Sequence, residues 1–280
     1  MRVSTSQMFQ VSTGSMSTAS SALTRVQQQV ASGVRIDAVS QDVVAVTQAS
    51  RLQQVKAQAA VYNANLTELD MRYGESDQSL RIVHDSLANI QSALIQSRNG
   101  TLGAGELTAI GTGIQNDIAS ITAELSRPDS QGRPLYSSAV VDADHPALQV
   151  QPGQTMASEI TLSKADQDSL TALQTATWAT AAGLAASTDA DRAAALTQIA
   201  GLQSAALAAR QVVGGRWQQV VNYQDANQAV SDGADIARSG LMDTDIAKSA
   251  TDLALYSAQL QAARSMFARI QGNSLFDVLR

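Results

Sequence analysis

The sequence predicts a mainly α protein: a long out-and-back helical rod carrying a small β-containing and irregular insert. Three observations predict it. Hydrophobic residues make up 44% of the 280 positions but aromatics only 4%, with Ala, Ser, Gln and Leu dominating, a composition suited to close helix contacts rather than to an aromatic enzyme core. All four prolines, Pro128, Pro134, Pro146 and Pro152, fall in one stretch. Proline lacks an N–H and clashes with the preceding turn, so 126–165 reads as irregular and both flanks are free to be helical. On those flanks apolar residues recur in alternating steps of three and four, a period that strands cannot keep.

The first helix is read from Phe9, Met16, Leu23 and Val30, seven apart, with Ser12, Ala19, Val26 and Gly33 on the complementary line. Large residues facing small ones suit close packing, and Ser32-Gly33 ends the run. After a loop over 34–41, Ser40 or Asp42 caps a second helix. Its seam is Ala45, Gln48, Leu52, Val55, Ala59, Tyr62, Leu66, Leu69, Tyr73, Ser76, Leu80, Val83, Leu87, Ile90 and Leu94. A helix over 42–99 is roughly 87 Å long at 1.5 Å per residue, and Asn99-Gly100 stops it. A third helix over 106–126 follows a short connection, which makes the two antiparallel neighbours.

Past the prolines, 147–153 reads as a strand and turn, with 158–163 as its partner strand, and 166–180 as a small helix. The return helix spans 189–236 on the stripe Leu196, Ile199, Leu202, Ala206, Ala209, Val213, Trp217 and Val220, with Asp189 or Asp191 at its start, where the helix dipole favours an anion. The last helix runs over 245–270, from Ile246 through Ala250, Leu253, Leu260, Ala263 and Phe267 to Ile270, with Gly272 as its stop. The first and last helices are expected to pair. The resulting division is 1–41 with 237–280 (paired terminal helices), 42–136 with 186–236 (helical rod), and 137–185 (outer insert).

Several function classes are excluded or unsupported. Net charge is −6, so neither a nucleic-acid partner nor an anionic membrane finds a basic face. No run approaches the ~20 apolar residues of a membrane span, and the start lacks the apolar core of a cleavable signal. Twelve of the first 21 residues are Ser, Thr or Gln, and no acidic residue precedes Asp37. That start suits a chain that is either cytoplasmic or exported without cleavage. Cysteine is absent and histidine numbers two, which removes thiol chemistry, disulfides and multi-histidine zinc sites.

The remaining candidates for chemistry are weak. Gly111-Thr112-Gly113 lacks the third glycine of a dinucleotide loop and follows no strand. His84 and Asp85 are adjacent on a helix and expected to point apart. Asp142-Ala143-Asp144-His145 reads as a polar loop tip, and Asp243-Thr244-Asp245 as a helix cap rather than a cation site. Trp178 and Trp217 are expected in a core or interface. No active site, metal site or cofactor site emerges, and the chain is read as a non-enzyme. The thin apolar seam of the terminal helices implies that 1–40 and 245–280 order only against other subunits.

Taken in order, the motifs resemble the bacterial flagellin superfamily, and within it the hook–filament junction branch. They are Met1-Arg2-Val3-Ser4-Thr5, Ser32-Gly33-Val34-Arg35-Ile36 with Ser40-Gln41-Asp42, Asn99-Gly100-Thr101-Leu102, Asp129-Ser130-Gln131-Gly132-Arg133-Pro134-Leu135-Tyr136, Val213-Gly214-Gly215-Arg216, Leu260-Gln261-Ala262-Ala263 and Ser274-Leu275-Phe276-Asp277. They lie in 1–136 and 210–280. The chain departs from the family pattern at Val34, where Lys is common, at Asp42-Val43, in place of Asp-Pro, and at Ser137-Ser138. Val278-Leu279-Arg280 resembles a flagellin ending.

The resemblance implies a structural subunit, joined to the hook through hook-associated protein 1 and to the flagellin filament. It implies export by the flagellar type III system without a cleaved signal peptide, a cytoplasmic export chaperone, and an extracellular place at the hook–filament junction. It implies a ring or helical layer of about eleven copies built on heterologous contacts, with the terminal helices as an inner tube. The expected subunit-contact residues are Phe9, Met16, Leu23, Val26, Val30, Leu253, Leu260, Phe267, Leu275 and Phe276. A short divergent flagellin and a coiled-coil surface binding module remain as alternative readings.

Overall fold

The structure is a computed structural model that describes residues 2–137, 147–158, 160–161 and 164–278. The side chains of 2–6, 8, 137, 161, 164–165 and 270–278 lie outside the description, as does the Asp142–His145 loop tip. The described residues form seven α-helices and two two-stranded sheets. The chain divides into two compact units, Gln58–Ala229 and the pair Met1–Ala57 with Val230–Arg280.

The central unit has a true core. It contains most of α2 (Val43–Ser97), α3 (Ala104–Leu125), the small elements and the first part of α6 (Asp189–Met242). The second half of the α2 seam, Leu87, Ile90 and Leu94, packs with Ile114, Ile118 and Ile121 of α3, with Leu173, Trp178 and Leu184, and with Ile199 and Leu202 of α6. The first half, Leu66, Leu69, Tyr73 and Leu80, packs with Ala209, Val213 and Val220 and with Val150, Met156 and Ile160 of the strands. Each fully buried Leu or Ile contributes about 1.5–3 kcal/mol. The α2–α3 connection is short and the pair is antiparallel: Ser79 Oγ donates to Glu124 O at 3.2 Å. The side chain of Glu106 accepts from the Gly103 N–H at 2.8 Å, closing the start of α3.

The strand pairing differs from expectation. β2 (Leu148–Gln151) pairs antiparallel with β3 (Gln154–Met156), not with 158–163. Pro152-Gly153 turns the chain in two residues, with Gly153 at φ 73°, so the partner strand begins at once. β4 (Ile160–Thr161) instead pairs in parallel with β1 (Tyr136–Ser137). Two helices hold the hairpin backbone: Asn65 donates to Gln149 O at 2.7 Å and Asn227 to Val150 O at 3.0 Å.

Helix ends also shift. The helix expected over 166–180 is α4 (Lys164–Ala172), followed by two 3₁₀ turns and α5 (Ala181–Ala186). α6 continues to Met242 rather than 236, and α7 (Ile246–Val278) runs straight through Gly272. A mid-helix glycine costs only about 1 kcal/mol, too little to stop a helix by itself. Trp217 is 37% exposed rather than buried. From Val213 a step of four overshoots the seam by about 40°, and Val220 returns to it.

A buried ionic turn locks the end of α3 onto α2. Arg72 Nη1 meets Asp129 Oδ2 at 2.6 Å, with both side chains 3% exposed or less. Arg72 Nη2 also donates to Pro134 O at 2.5 Å. Asp129 accepts main-chain N–H bonds from Gln131 and Arg133 at 2.9 and 2.8 Å. Arg133 bridges Asp129 at 3.0 Å and Glu68 at 2.7 Å. Gly132 sits at φ 81°, where a side chain would be strained. Burial alone would raise the Asp129 carboxyl, but these hydrogen bonds and the Arg133 charge hold it below the usual carboxylate range. Beside it Leu135 is fully buried, and Tyr136 donates to Ser76 O at 3.1 Å. Burial pushes that phenol up to about 12.

The other unit contains α1 (Arg2–Ser32), the start of α2, the end of α6 and α7. Its four helix termini meet at one elbow. α1 ends at Gly33, φ 73°. Val34 bridges Asp243 antiparallel, and the Thr244 N–H donates to Gly33 O at 2.9 Å. Arg35 ties the elbow together. Its N–H donates to Met242 O at 2.7 Å, its guanidinium to Leu241 O at 2.6 Å, and its carbonyl accepts from Gln29 at 2.7 Å. Asp42 caps α2 through the Ala45 N–H, and Asp245 caps α7 through Lys248 N–H.

Candidate subunit-contact surface

The terminal helices α1 and α7 pack against each other in antiparallel fashion. The order follows from Phe9 against Phe267 near one end and Val34 against Asp243 at the other. The two rings lie 5.2 Å apart at 45°, within the favourable range for aromatic pairs. Small residues allow the approach: an open groove of about 470 Å³ between the helices is lined by Ser12, Ser15, Ala19, Ala262 and Ala263, with Val11 and Met266 at its sides.

The expected contact residues fall into three groups. Val26 is buried, and Met16, Leu23, Leu253, Leu260 and Phe267 are half-buried within the α1–α7 unit. Phe9 and Val30 are exposed. Leu275 and Phe276 lie on α7, with side chains outside the described residues. The apolar surface also includes residues that periodicity passed over. Val11, Leu255 and Met266 are all more than half exposed. They lie off the heptad line, and the signal for them was simply a large apolar residue at an outward helical position.

The distribution of that surface separates the two units. Among the described residues, twelve of the nineteen exposed large apolar ones belong to the α1–α7 unit, while its buried apolar residues larger than Ala are only Val26 and Ile36. Both core clusters lie wholly in the other unit. Phe9, Val11 and Val30 lie on α1 and Ile246, Leu255 and Met266 on α7, so both terminal helices carry apolar residues that the unit itself does not cover.

Chemistry is sparse elsewhere. No metal-holding group of His, Cys, Asp or Glu occurs among the described residues. No described helix is long and apolar enough to cross a membrane. His84 and Asp85 do not point apart as expected: Nδ1 and Oδ1 come within 3.5 Å on the side of α2, with Asp85 exposed. Asp243 accepts from Ser239, and Asp245 caps α7. Trp178 is buried in the core, and Trp217 donates to Asp70 at 2.6 Å.

No protein-family model matches the chain. Among curated proteins, flagellar hook-associated protein 3 of Escherichia coli (strain K12) is 25% identical over 137 residues, 49% of this chain and 43% of the relative. Flagellar hook-associated protein 3 of Salmonella typhimurium (strain LT2) is 22% identical over 143 residues, 51% of this chain and 45% of the relative. The chain resembles flagellar hook-associated protein 3. The matched region spans less than half the length of those curated relatives. A solved structure of a protein provisionally assigned as a flagellar hook-associated protein from Vibrio parahaemolyticus shares the fold, with a TM-score of 0.63 at 19% identity, over 72% of this chain and all of that one. That likeness is one of fold.

Proposed function

We propose that this chain is a structural, non-enzymatic subunit of the bacterial flagellum that joins the hook, through hook-associated protein 1, to the flagellin filament. The observation that carries the reading is the exposed apolar surface of the α1–α7 unit, in contrast to the unit Gln58–Ala229, which has its own core. Together with the likeness to flagellar hook-associated protein 3, it supports assembly by packing of the terminal helices. In this reading 1–41 with 237–280 forms an inner tube, 42–136 with 186–236 a surrounding wall, and 137–185 an outer insert. About eleven copies make one layer through heterologous contacts. The type III flagellar apparatus exports the subunit, a cytoplasmic chaperone covers its apolar helices beforehand, and its final place is extracellular.

The test is electron microscopy of cells lacking the gene, with flagellin assayed in the culture medium. Hooks without filaments and flagellin shed into the medium are the expected result. Bare hooks with little flagellin made anywhere would instead identify a short flagellin. Intact filaments would point either to a redundant copy or to a surface binding module, and the neighbouring genes would choose between them.

A further inference from the structure

The connection between α2 and α3 contains the sequence Asn99-Gly100, the one Asn-Gly pair in the chain. Asn99 and Gly100 are both exposed and lie beyond the end of α2 at Ser97. The Asn99 side-chain oxygen accepts from the Thr101 N–H at 3.3 Å and from the Thr101 hydroxyl at 3.0 Å. Those two bonds turn the side chain toward the main chain that follows and draw electron density from the amide carbon. A β-carbon at Gly100 would have nothing within 4 Å, so no neighbouring element crowds this residue.

We propose that Asn99 is a self-modification site, at which the chain deamidates through a succinimide. The Gly100 main-chain nitrogen attacks Asn99 Cγ and loses its proton. A C–N bond forms, the bond to the side-chain amide nitrogen breaks, and ammonia leaves. Water then adds to one of the two imide carbonyls. The ring opens to an aspartyl linkage or to an isoaspartyl linkage, in which the main chain runs through Cγ and is one carbon longer. No oxidant, metal or enzyme enters the balance. The residues Asn63, Asn65, Asn89, Asn116, Asn222, Asn227 and Asn273 lie in long helices, where the hydrogen-bonded backbone prevents the ring from closing.

The product places a negative charge just past the C-terminal end of α2, where the helix dipole disfavours an anion. Arg98, its neighbour, holds Asp189 at 2.7 and 3.0 Å. A carboxylate at position 99 competes for that guanidinium. The tie between the end of α2 and the start of α6 is therefore weaker in the modified chain.

The full chain, incubated folded at mildly alkaline pH, is sampled over time by peptide mass spectrometry and by enzymatic isoaspartate labelling. The expected result is a gain of one mass unit at Asn99 ahead of the seven helical asparagines, with isoaspartate in the same peptide. In Gly100→Ala the reaction slows about tenfold, about 1.4 kcal/mol in the barrier, because the added methyl hinders attack by its own main-chain nitrogen. That variant folds normally, because the space is open and Gly100 is not among the glycines with positive φ. An Asn99 that converts no faster than the helical asparagines, or equally fast in Gly100→Ala, overturns the proposal.

Discussion

At the residue scale, Asp129 decides whether the turn after α3 holds. Its carboxylate meets Arg72 and Arg133 and two main-chain N–H groups, almost fully out of water. Removing one partner of a buried pair leaves the other charge stranded and costs about 3–5 kcal/mol. Asp129→Asn is therefore expected to shift the urea midpoint of the central unit strongly downward, and an unchanged midpoint would refute this account. The pH dependence has a definite sign. The folded-state pKa of Asp129 lies below its unfolded value of about 3.9. Its contribution is complete above that value and is lost as pH falls through the lower folded value. The wild type should lose stability in that acid window, whereas Asp129→Asn should lack this limb of the curve. The sequence made half of this visible. The Asp129–Tyr136 segment stood out as a motif, but Arg72 did not. An arginine within an otherwise regular helix reads as a solvated face, and its partner lies 57 positions away.

At the element scale, periodicity is legible where a helix has a core to face. The α2 seam from Tyr62 to Leu94 is buried at nearly every expected position, because one register must face the core along the whole length. Before Ala57 the same repeat continues, yet Gln48 and Val55 are exposed. There the pattern reports a helix but not what covers it. The short elements were less legible: a two-residue turn at Pro152-Gly153 and a parallel pairing between β1 and β4 leave almost no periodic signal in two to four residues. The glycine contact between α3 and α5 was also hidden, since Gly111 looked like part of a failed cofactor loop. A β-carbon there would sit 2.6 Å from Ala181 Cα and 3.1 Å from Thr180 O. Backbone cannot yield as a side-chain tip can. Gly111→Ala should gain about 1 kcal/mol of helix propensity and lose about 1–3 kcal/mol to overpacking. The expected outcome is a lower thermal midpoint, and a stabilised variant would mean that the α3–α5 approach is looser than described. Gly113→Ala, with nothing within 4 Å on the same helix, is the control and should stabilise.

At the scale of the whole molecule, the two units differ in what they must still bury. The central unit buries two apolar clusters of its own. The α1–α7 unit leaves Phe9, Val11, Leu255 and Met266 in water, and ordering a backbone residue costs about 1–2 kcal/mol before any contact repays it. With few buried side chains, opening of α1 and α7 requires little free energy, so their amides should exchange quickly in the isolated subunit. Hydrogen exchange on monomer is expected to give low protection over 9–30 and 253–269 and high protection over 62–94. Assembly should then raise protection on the terminal helices alone. Equal protection of α1 and α2 in the monomer would mean that the terminal pair is stable without partners, and the packing argument for assembly would fail. Leu260→Asp tests the same surface from the other side. Leu260 is half-buried on α7, and a carboxylate there should leave the 62–94 protection intact. It should also leave export intact while preventing incorporation into filament-bearing flagella. Normal filaments from that variant would show that α7 does not form the contact.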